Sequence, residues 1–257
     1  ELAMALTFHY AARSDVGLVR KDNQDSGYAG PHLLVVADGM GGHAGGDIAS
    51  ATVVTELVEI DHDSLTAAEA SSQLSRAITR ANDEIARTFA DNAELEGMGT
   101  TVTAIMRARN KLILAHIGDS RAYLLREGRL AQITKDHSFV QSLLDSGRIT
   151  PDEAVHHPQR SLVTRVLTGP QLQGGEGRGS QRGRGRDVHS LAWERTRGAS
   201  NPASSWAGLG GGVFGVLNPS MAPSPHPAIS LELNGVGRET SGGIGGGRLL
   251  TLDFLFG

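Results

Sequence analysis

The chain has 257 residues, of which 39% are hydrophobic and 20% charged, with a net charge of -4 and no cysteine. This length is enough to bury a sizeable core, and the lack of cysteine excludes disulfides, thiolate metal ligands and cysteine nucleophiles. Residues 1–170 carry 16 basic and 22 acidic side chains, which argues against nucleic acid as a partner because phosphate backbones need a basic face.

The first third of the chain predicts strands beside a pair of helices. Residues 7–12 alternate like an edge strand, 13–25 are polar and turn-rich, and 33–37 form a buried apolar strand. Apolar residues then recur at helical spacing over 47–60 and 65–89, which predicts two amphipathic helices.

The middle third predicts antiparallel strands and short helices. Four further strands are predicted, at 100–107, 111–117, 121–126 and 129–134. Three short helices are predicted, at 138–146, from the Thr150-Pro151 N-cap, and at 161–167. Because neighbouring strands pair and the long helices come together, the sequence predicts an α+β fold with helices laid on antiparallel sheets.

The composition changes after residue 170. Residues 1–170 contain 14 glycines and residues 171–257 contain 20, and the run from Gly174 to Arg186 has glycine too often for a helix or a strand. Strand-like hydrophobicity returns only at 228–233 and 248–256. We therefore expect disorder or weak structure over residues 170–257.

Two acidic residues follow predicted buried strands. Asp38 and Gly39 come after the strand at 33–37, and Asp119 comes after the strand at 111–117. Mn²⁺ and Mg²⁺ prefer oxygen ligands in octahedral geometry, and a residue without a side chain lets a backbone carbonyl approach an ion. Two such ions can orient water at a phosphorus centre, while an arginine fork clamps the phosphate. The pattern predicts a divalent metal site.

Five motifs occur in order along residues 7–169: 13–25 (Arg-Ser-Asp-Val-Gly-Leu-Val-Arg-Lys-Asp-Asn-Gln-Asp), 37–43 (Ala-Asp-Gly-Met-Gly-Gly-His), 97–101 (Gly-Met-Gly-Thr-Thr), 118–121 (Gly-Asp-Ser-Arg) and 157–160 (His-Pro-Gln-Arg). Together they resemble the metal-dependent, type 2C Ser/Thr protein phosphatases of bacteria. The resemblance implies an α-β-β-α sandwich, two catalytic Mn²⁺ or Mg²⁺ ions, often a third, and hydrolysis of phosphoserine and phosphothreonine without a covalent intermediate.

The resemblance also assigns roles to single residues. Asp38 matches the carboxylate that bridges both metals, Gly39 the carbonyl ligand, Asp25 an outer or water-mediated acidic position, and Asp119 the third-metal ligand. Arg20 matches the phosphate-binding arginine.

Two further positions match the family less closely. Gln24 stands where the family often has Glu, which weakens the charge at the second metal. His43 lies where a general acid for the leaving alkoxide is expected.

Beyond Gly169 the sequence departs from this family. The Ser-Asp-Gly-Leu and Gly-Gly-x-Asp-Asn motifs do not follow, and Asp187 and Asp253 are the only aspartates after residue 170. We expect residues 1–6 to be an N-terminal extension left by cloning, 7–169 the catalytic domain with its sandwich incomplete after 170, and 170–257 a non-family segment. Glycine and arginine without lysine are typical of an out-of-frame translation of a GC-rich gene, so a frameshift near codon 170 is the hypothesis.

The first interpretation is a phosphatase impaired by missing ligands, acting in the cytoplasm as a monomer on phosphorylated proteins, including Ser/Thr kinases and their substrates. The alternative is a non-catalytic phosphoprotein-binding module. A third interpretation makes the Arg-Gly run at 178–186 a nucleic-acid contact. No segment approaches the roughly 20 apolar residues that span a bilayer, and no signal peptide is expected.

Overall fold

The computed structural model describes residues 6–10, 12, 14, 16, 21–41, 45–95, 97–126, 129–169, 188–191, 212–217, 231–235 and 254–255. The strands are β1 (Leu6–Tyr10), β2 (Asp25–Ala29), β3 (Leu33–Met40), β4 (Gly99–Thr100), β5 (Val102–Ala108), β6 (Lys111–Ile117), β7 (Arg121–Arg126), β8 (Arg129–Gln132), β9 (Val188–Leu191), β10 (Gly212–Leu217), β11 (Leu231–Gly235) and β12 (Phe254–Leu255). The helices are α1 (Gly45–Val58), α2 (Ala67–Asp91), α3 (Phe139–Asp145) and α4 (Pro151–Val155), with a 3-10 turn at Ala93–Leu95.

One sheet is formed by strands in the order β2-β3-β5-β6-β9, with the short β4 paired to the end of β3. All of these pairings are antiparallel. Strands β3, β5 and β6 are buried along almost their whole length. A strand that is buried on both faces needs a layer on each side of its sheet.

Helices α1 and α2 supply the layer on one face. Their apolar residues form one cluster with alternate residues of β3, namely Leu33, Val35, Ala37, Val53, Leu57, Leu74 and Ile85. The residues between these on β3, Leu34 and Val36, are also buried but lie outside that cluster. Because side chains alternate across a strand, the second face of this sheet is covered as well.

The second sheet has the order β1-β11-β10-β7-β8, with β12 parallel to β10. The chain after β8 returns to the first sheet, where His116 on β6 contacts the carbonyl of Lys135 and His137 accepts from the amide of Gly118. The two sheets therefore lie against each other, and the predicted α+β sandwich of antiparallel sheets is confirmed.

Helix starts follow the capping chemistry of the sequence. Thr66 and Thr150 form capping boxes with Glu69 and Glu153, and Ser138 caps α3. The predicted helices at 47–60, 65–89 and 138–146 all appear, with ends shifted by a few residues. Among the helices that the structure describes, none is both long and apolar enough to cross a membrane.

Three local predictions were wrong. Residues 161–167 are not helical, because Val163 and Leu167 form bridges to Ser138 and Thr100 in extended conformation. Strand β2 was not predicted, since its pairing to β3 rather than its own composition makes it a strand. Asp38 does not follow β3 but lies within it, because the strand continues to Met40 through its pairing with β4.

Four of the described strands come from residues after 170. The stretches predicted at 228–233 and 248–256 overlap β11 and β12, whereas β9 and β10 were not predicted. Strand β9 pairs with β6 and β10 pairs with β7, so their partners are distant in sequence. A strand that forms through pairing with a distant partner leaves no pattern in its own sequence from which it could be predicted. The frameshift and the domain boundary at 170 stay predictions.

We expect Leu74→Ala to lower the free energy of unfolding by about 2–5 kcal/mol, because Leu74 is fully buried between the helices and the sheet. Leu162→Ala, at a leucine that is 47% exposed, is the matched control and should change it little. Urea denaturation of both variants measures the difference. Equal losses would contradict the packing described here.

Candidate metal centre

The pairing of β2 with β3 places two carboxylates opposite each other. Asp25 and Asp38 are direct cross-strand partners, and side chains of directly opposite residues lie on the same face with Cβ atoms about 4.5–5.5 Å apart. The alternation of β3 puts Asp38 on the face of Leu34 and Val36, between the two sheets. One carboxylate oxygen of Asp25, Oδ2, is buried. Like charges so placed are unfavourable unless a cation lies near them.

The main chain of Asp38 is held on both sides. Its amide donates to the Thr101 hydroxyl at 3.0 Å. Its carbonyl accepts from the Thr101 amide at 2.9 Å and from the Thr100 hydroxyl at 3.0 Å. These bonds fix the backbone at the point where β3 meets β4.

Glycine is required at position 39 because the structure leaves no room for a side chain there. A Cβ at this position would overlap the backbone carbonyl oxygens of Gln24 and Gly46. The Gly39 amide donates to the Gln24 carbonyl at 3.2 Å, and Gly46 belongs to the first turn of α1. The residue next to Asp38 is therefore enclosed by the backbone of Gln24, just before β2, and of Gly46 in α1.

Asp119 lies in the turn that follows β6. Gly118 adopts a φ of +118°, a conformation that favours glycine, and Asp119 is only 8% exposed. Burial first, and then the carboxylates of Asp38 and Asp136, raise the pKa of Asp119 to about 6. Asp38 and Asp119 therefore lie within electrostatic reach of each other. A divalent cation between them would favour the ionised form of both.

Asp136 is a buried residue of this region that the sequence did not single out. It is 6% exposed and accepts from Arg121, whose Nε lies 2.9 Å from each of its carboxylate oxygens. The bond to Asp136 is also the main reason why the pKa of Arg121 is raised. Arg121 is thus engaged by Asp136, although Asp136 follows the β7-β8 hairpin in a stretch without any recognisable motif.

The predicted residues divide into two groups. Asp25, Asp38 and Gly39 lie together on neighbouring strands, and Asp119 is near Asp38. Arg20 and His43 lie outside the described residues. Within the part of the chain that is described, no group of three or more His, Asp or Glu side chains is arranged to hold a metal. Any six-coordinate ion here would need the Gly39 carbonyl, water or other oxygens besides these carboxylates.

Comparison with known proteins places this geometry in a family. The protein phosphatase 2C family profile matches residues 11–165. The serine/threonine protein phosphatase PstP of Mycobacterium tuberculosis is 47% identical over 235 residues, which cover 91% of this chain and 44% of that protein. The chain therefore spans less than half the length of this relative.

Solved structures agree with the sequence comparison. The crystal structure of the M. tuberculosis serine/threonine phosphatase PstP/Ppp has 48% identity and a TM-score of 0.65, covering 74% of this chain and 75% of that one. The catalytic domain of PstP in complex with 2 manganese ions has 42% identity and a TM-score of 0.63, covering 81% and 76%. Both likenesses extend over most of the sandwich.

Removing the carboxylate that engages Arg121 should destabilise the protein. We expect Asp136→Ala to lower the free energy of unfolding by roughly 2 kcal/mol, because it leaves a guanidinium that is only one-third exposed without this partner. Asp145→Ala is the control, since Asp145 pairs with Lys135 on the surface, where ion pairs contribute little. Chemical denaturation compares the variants, and a smaller loss in Asp136→Ala than in Asp145→Ala would refute the assignment.

Proposed function

The chain belongs to the protein phosphatase 2C family, and from that membership we propose that it hydrolyses phosphoserine and phosphothreonine esters of proteins with Mn²⁺ or Mg²⁺ as cofactor. The observation that carries this proposal is the register that sets Asp25 opposite Asp38. Support comes from the names of the relatives and from the two manganese ions in the PstP catalytic domain.

The donor set of the described residues suits hard divalent ions. It consists of carboxylates from Asp25, Asp38 and Asp119 together with the carbonyl of Gly39, and all of these are oxygen donors of the kind that Mn²⁺ and Mg²⁺ prefer. These carboxylates lie close together, as the cross-strand pair Asp25 and Asp38 and the raised pKa of Asp119 beside Asp38 indicate. When bound, the ions supply Lewis-acid polarisation of water and of the phosphoryl group.

The residues of the chain itself then have distinct tasks. In this proposal Asp38 would be a ligand of both ions, Asp25 would bind directly or through water, and Asp119 would bind a third ion. The close approach of the Gln24 and Gly46 backbone leaves Gly39 no room for a side chain and holds this part of the main chain in place.

Two residues outside the described ranges complete the proposal. Arg20 would bind the phosphate through its planar fork. His43 would give a proton to the oxygen of the departing serine or threonine. Both roles rest on the position of these residues in the family motifs.

Gln24 offers less to the ions than an acidic residue would. Its carbonyl accepts from Gly39 and from the Ser50 hydroxyl, and its Oε1 atom lies close to the α carbon of Gly46. A neutral amide adds no charge at the second ion. Together with the missing C-terminal motifs, this supports the proposal that the activity is impaired.

Phosphorylated proteins, including Ser/Thr kinases and their substrates, are the partners that this function implies. A monomeric state and a cytoplasmic location stay predictions. The non-catalytic phosphoprotein-binding module is the alternative, and the experiment below separates it from the enzyme.

We expect Asp38→Asn to abolish Mn²⁺-dependent hydrolysis of p-nitrophenyl phosphate. Changes to the partners of metal ligands already cost about 10–100-fold, so loss of a ligand should exceed ~100-fold. Asp83→Asn, on the exposed face of α2, changes the same charge far from the site and should keep full activity.

Initial rates at several Mn²⁺ concentrations measure the effect. Full activity in Asp38→Asn would refute the proposed enzyme. If neither the unmodified chain nor the variants hydrolyse the ester but the chain binds a phosphoserine peptide, the binding module is supported instead.

A further inference from the structure

Thr101 lies between the two halves of the candidate site. It is fully buried, directly after β4 and before β5. Its hydroxyl accepts from the Asp38 amide at 3.0 Å and shares a second hydrogen bond of 3.0 Å with the hydroxyl of Ser120, which is 1% exposed. One side-chain oxygen therefore connects the backbone of Asp38 to the residue next to Asp119.

The strand order shows why such a link is needed. Asp38 is on β3 and Asp119 follows β6, and β5 lies between these two strands. Neighbouring strands are about 4.8 Å apart, so the two backbones are roughly two strand spacings from each other and share no ladder hydrogen bonds. Thr101 enters β5 in the middle of this gap.

The Thr101 hydroxyl makes two hydrogen bonds, one on each side. A threonine hydroxyl has one donor hydrogen and two acceptor positions. The Asp38 amide can only donate, so it occupies an acceptor position, and the contact with Ser120 uses either the hydrogen or the second acceptor position. Both contacts are made in a buried environment, where losing one is costly.

The side chain of Thr101 also has no room to turn. A Cβ at Gly118 would come within 2.5 Å of both Cβ and Cγ2 of Thr101, so the glycine backbone packs directly against it. β-Branched side chains are stiff about χ1 in any case. Thr101 is thus held between the strand that carries Asp38 and the turn that carries Asp119.

We propose that Thr101, with Ser120 as its partner, is a positioning residue that fixes the distance between the Asp38 and Asp119 carboxylates and so sets the affinity for the divalent ions. The proposal rests on the function proposed above. It follows from the need of metal sites for ligands held within about 0.5 Å of their working geometry. Thr101 itself touches no ion in this account and acts only through the backbone of Asp38 and through Ser120.

The experiment compares Thr101→Val, Thr101→Ser and Thr103→Val in the full chain. Valine has nearly the shape of threonine but lacks the hydroxyl, whereas serine keeps the hydroxyl and lacks the methyl group. Thr103 is the matched control, because it is also buried in β5 and its hydroxyl bonds His116 rather than a residue of the site. Mn²⁺ affinity is measured by isothermal titration calorimetry, and the melting temperature of each metal-free protein is measured in parallel.

We expect Thr101→Val to weaken Mn²⁺ binding by about 10–100-fold, in the range seen when partners of metal ligands are removed. Thr101→Ser should recover most of the affinity. Thr103→Val should lower the melting temperature about as much as Thr101→Val but keep the affinity of the unmodified chain. A merely structural role for Thr101 would not separate the two valine variants in this way.

Unchanged Mn²⁺ affinity in Thr101→Val, or an equal loss in Thr101→Ser, would overturn the inference. If Thr101→Val does not fold, Ser120→Ala is tested instead, since it removes the hydrogen bond between Ser120 and Thr101. Weakened Mn²⁺ binding by Ser120→Ala would support the positioning role of Thr101, and unchanged binding would overturn it. Failure of the proposed function would give a different result: the unmodified chain would bind Mn²⁺ but would not hydrolyse p-nitrophenyl phosphate.

Discussion

The register between β2 and β3 is the constraint on which the site depends. It sets Asp25 against Asp38, and a slip of one residue would turn one of the two carboxylates to the opposite face of the sheet. The register is fixed by burial, because alternate residues of β3 enter the helix layer while those between them are covered on the other face. The contact of Gly39 with the backbone of Gln24 and of Gly46 in α1 adds a second restraint near the end of β3. The hydrophobic core thus holds two like charges at close range.

Among the described residues, two carboxylates and one guanidinium act on the pKa of Asp119. Arg121 is the basic residue nearest to Asp119 in sequence, and Asp136 engages it through both carboxylate oxygens. Arg121 still lowers the pKa of Asp119, but burial and the two neighbouring carboxylates outweigh it. The opposite charges of a paired basic and acidic group largely cancel each other's electrostatic effect on more distant groups. A divalent ion beside Asp119 would favour the ionised form of its carboxylate.

The sequence predicted the parts of the fold that are encoded locally. Strands β3 and β6 are largely apolar, β5 alternates, and helices α2, α3 and α4 begin at capping residues, so each of these elements carries its own signal. Strand β2 and the extended segment ending at Leu167 depend on partners far along the chain, and local pattern cannot show them. The acids Asp25, Asp38 and Asp119 were proposed as ligands from motifs, and the structure brings Asp25 and Asp38 opposite each other. Asp136 was missed because only its contact with Arg121 gives it a role.

Residues after 170 contribute strands to both sheets but few aspartates that could bind a metal. In the second sheet, β11 and β10 lie between β1 and β7, so the sheet is continuous only through strands from that region. Such pairing is made by backbone groups and tolerates many sequences. Metal ligation requires particular side chains, and the region contains just two aspartates, Asp187 and Asp253. Strands from this region can therefore complete the hydrogen bonding of both sheets whatever acidic side chains they carry. A correct order of strands is therefore weak evidence that a member of this family is active. The identity of the residues beside Asp38 is stronger evidence.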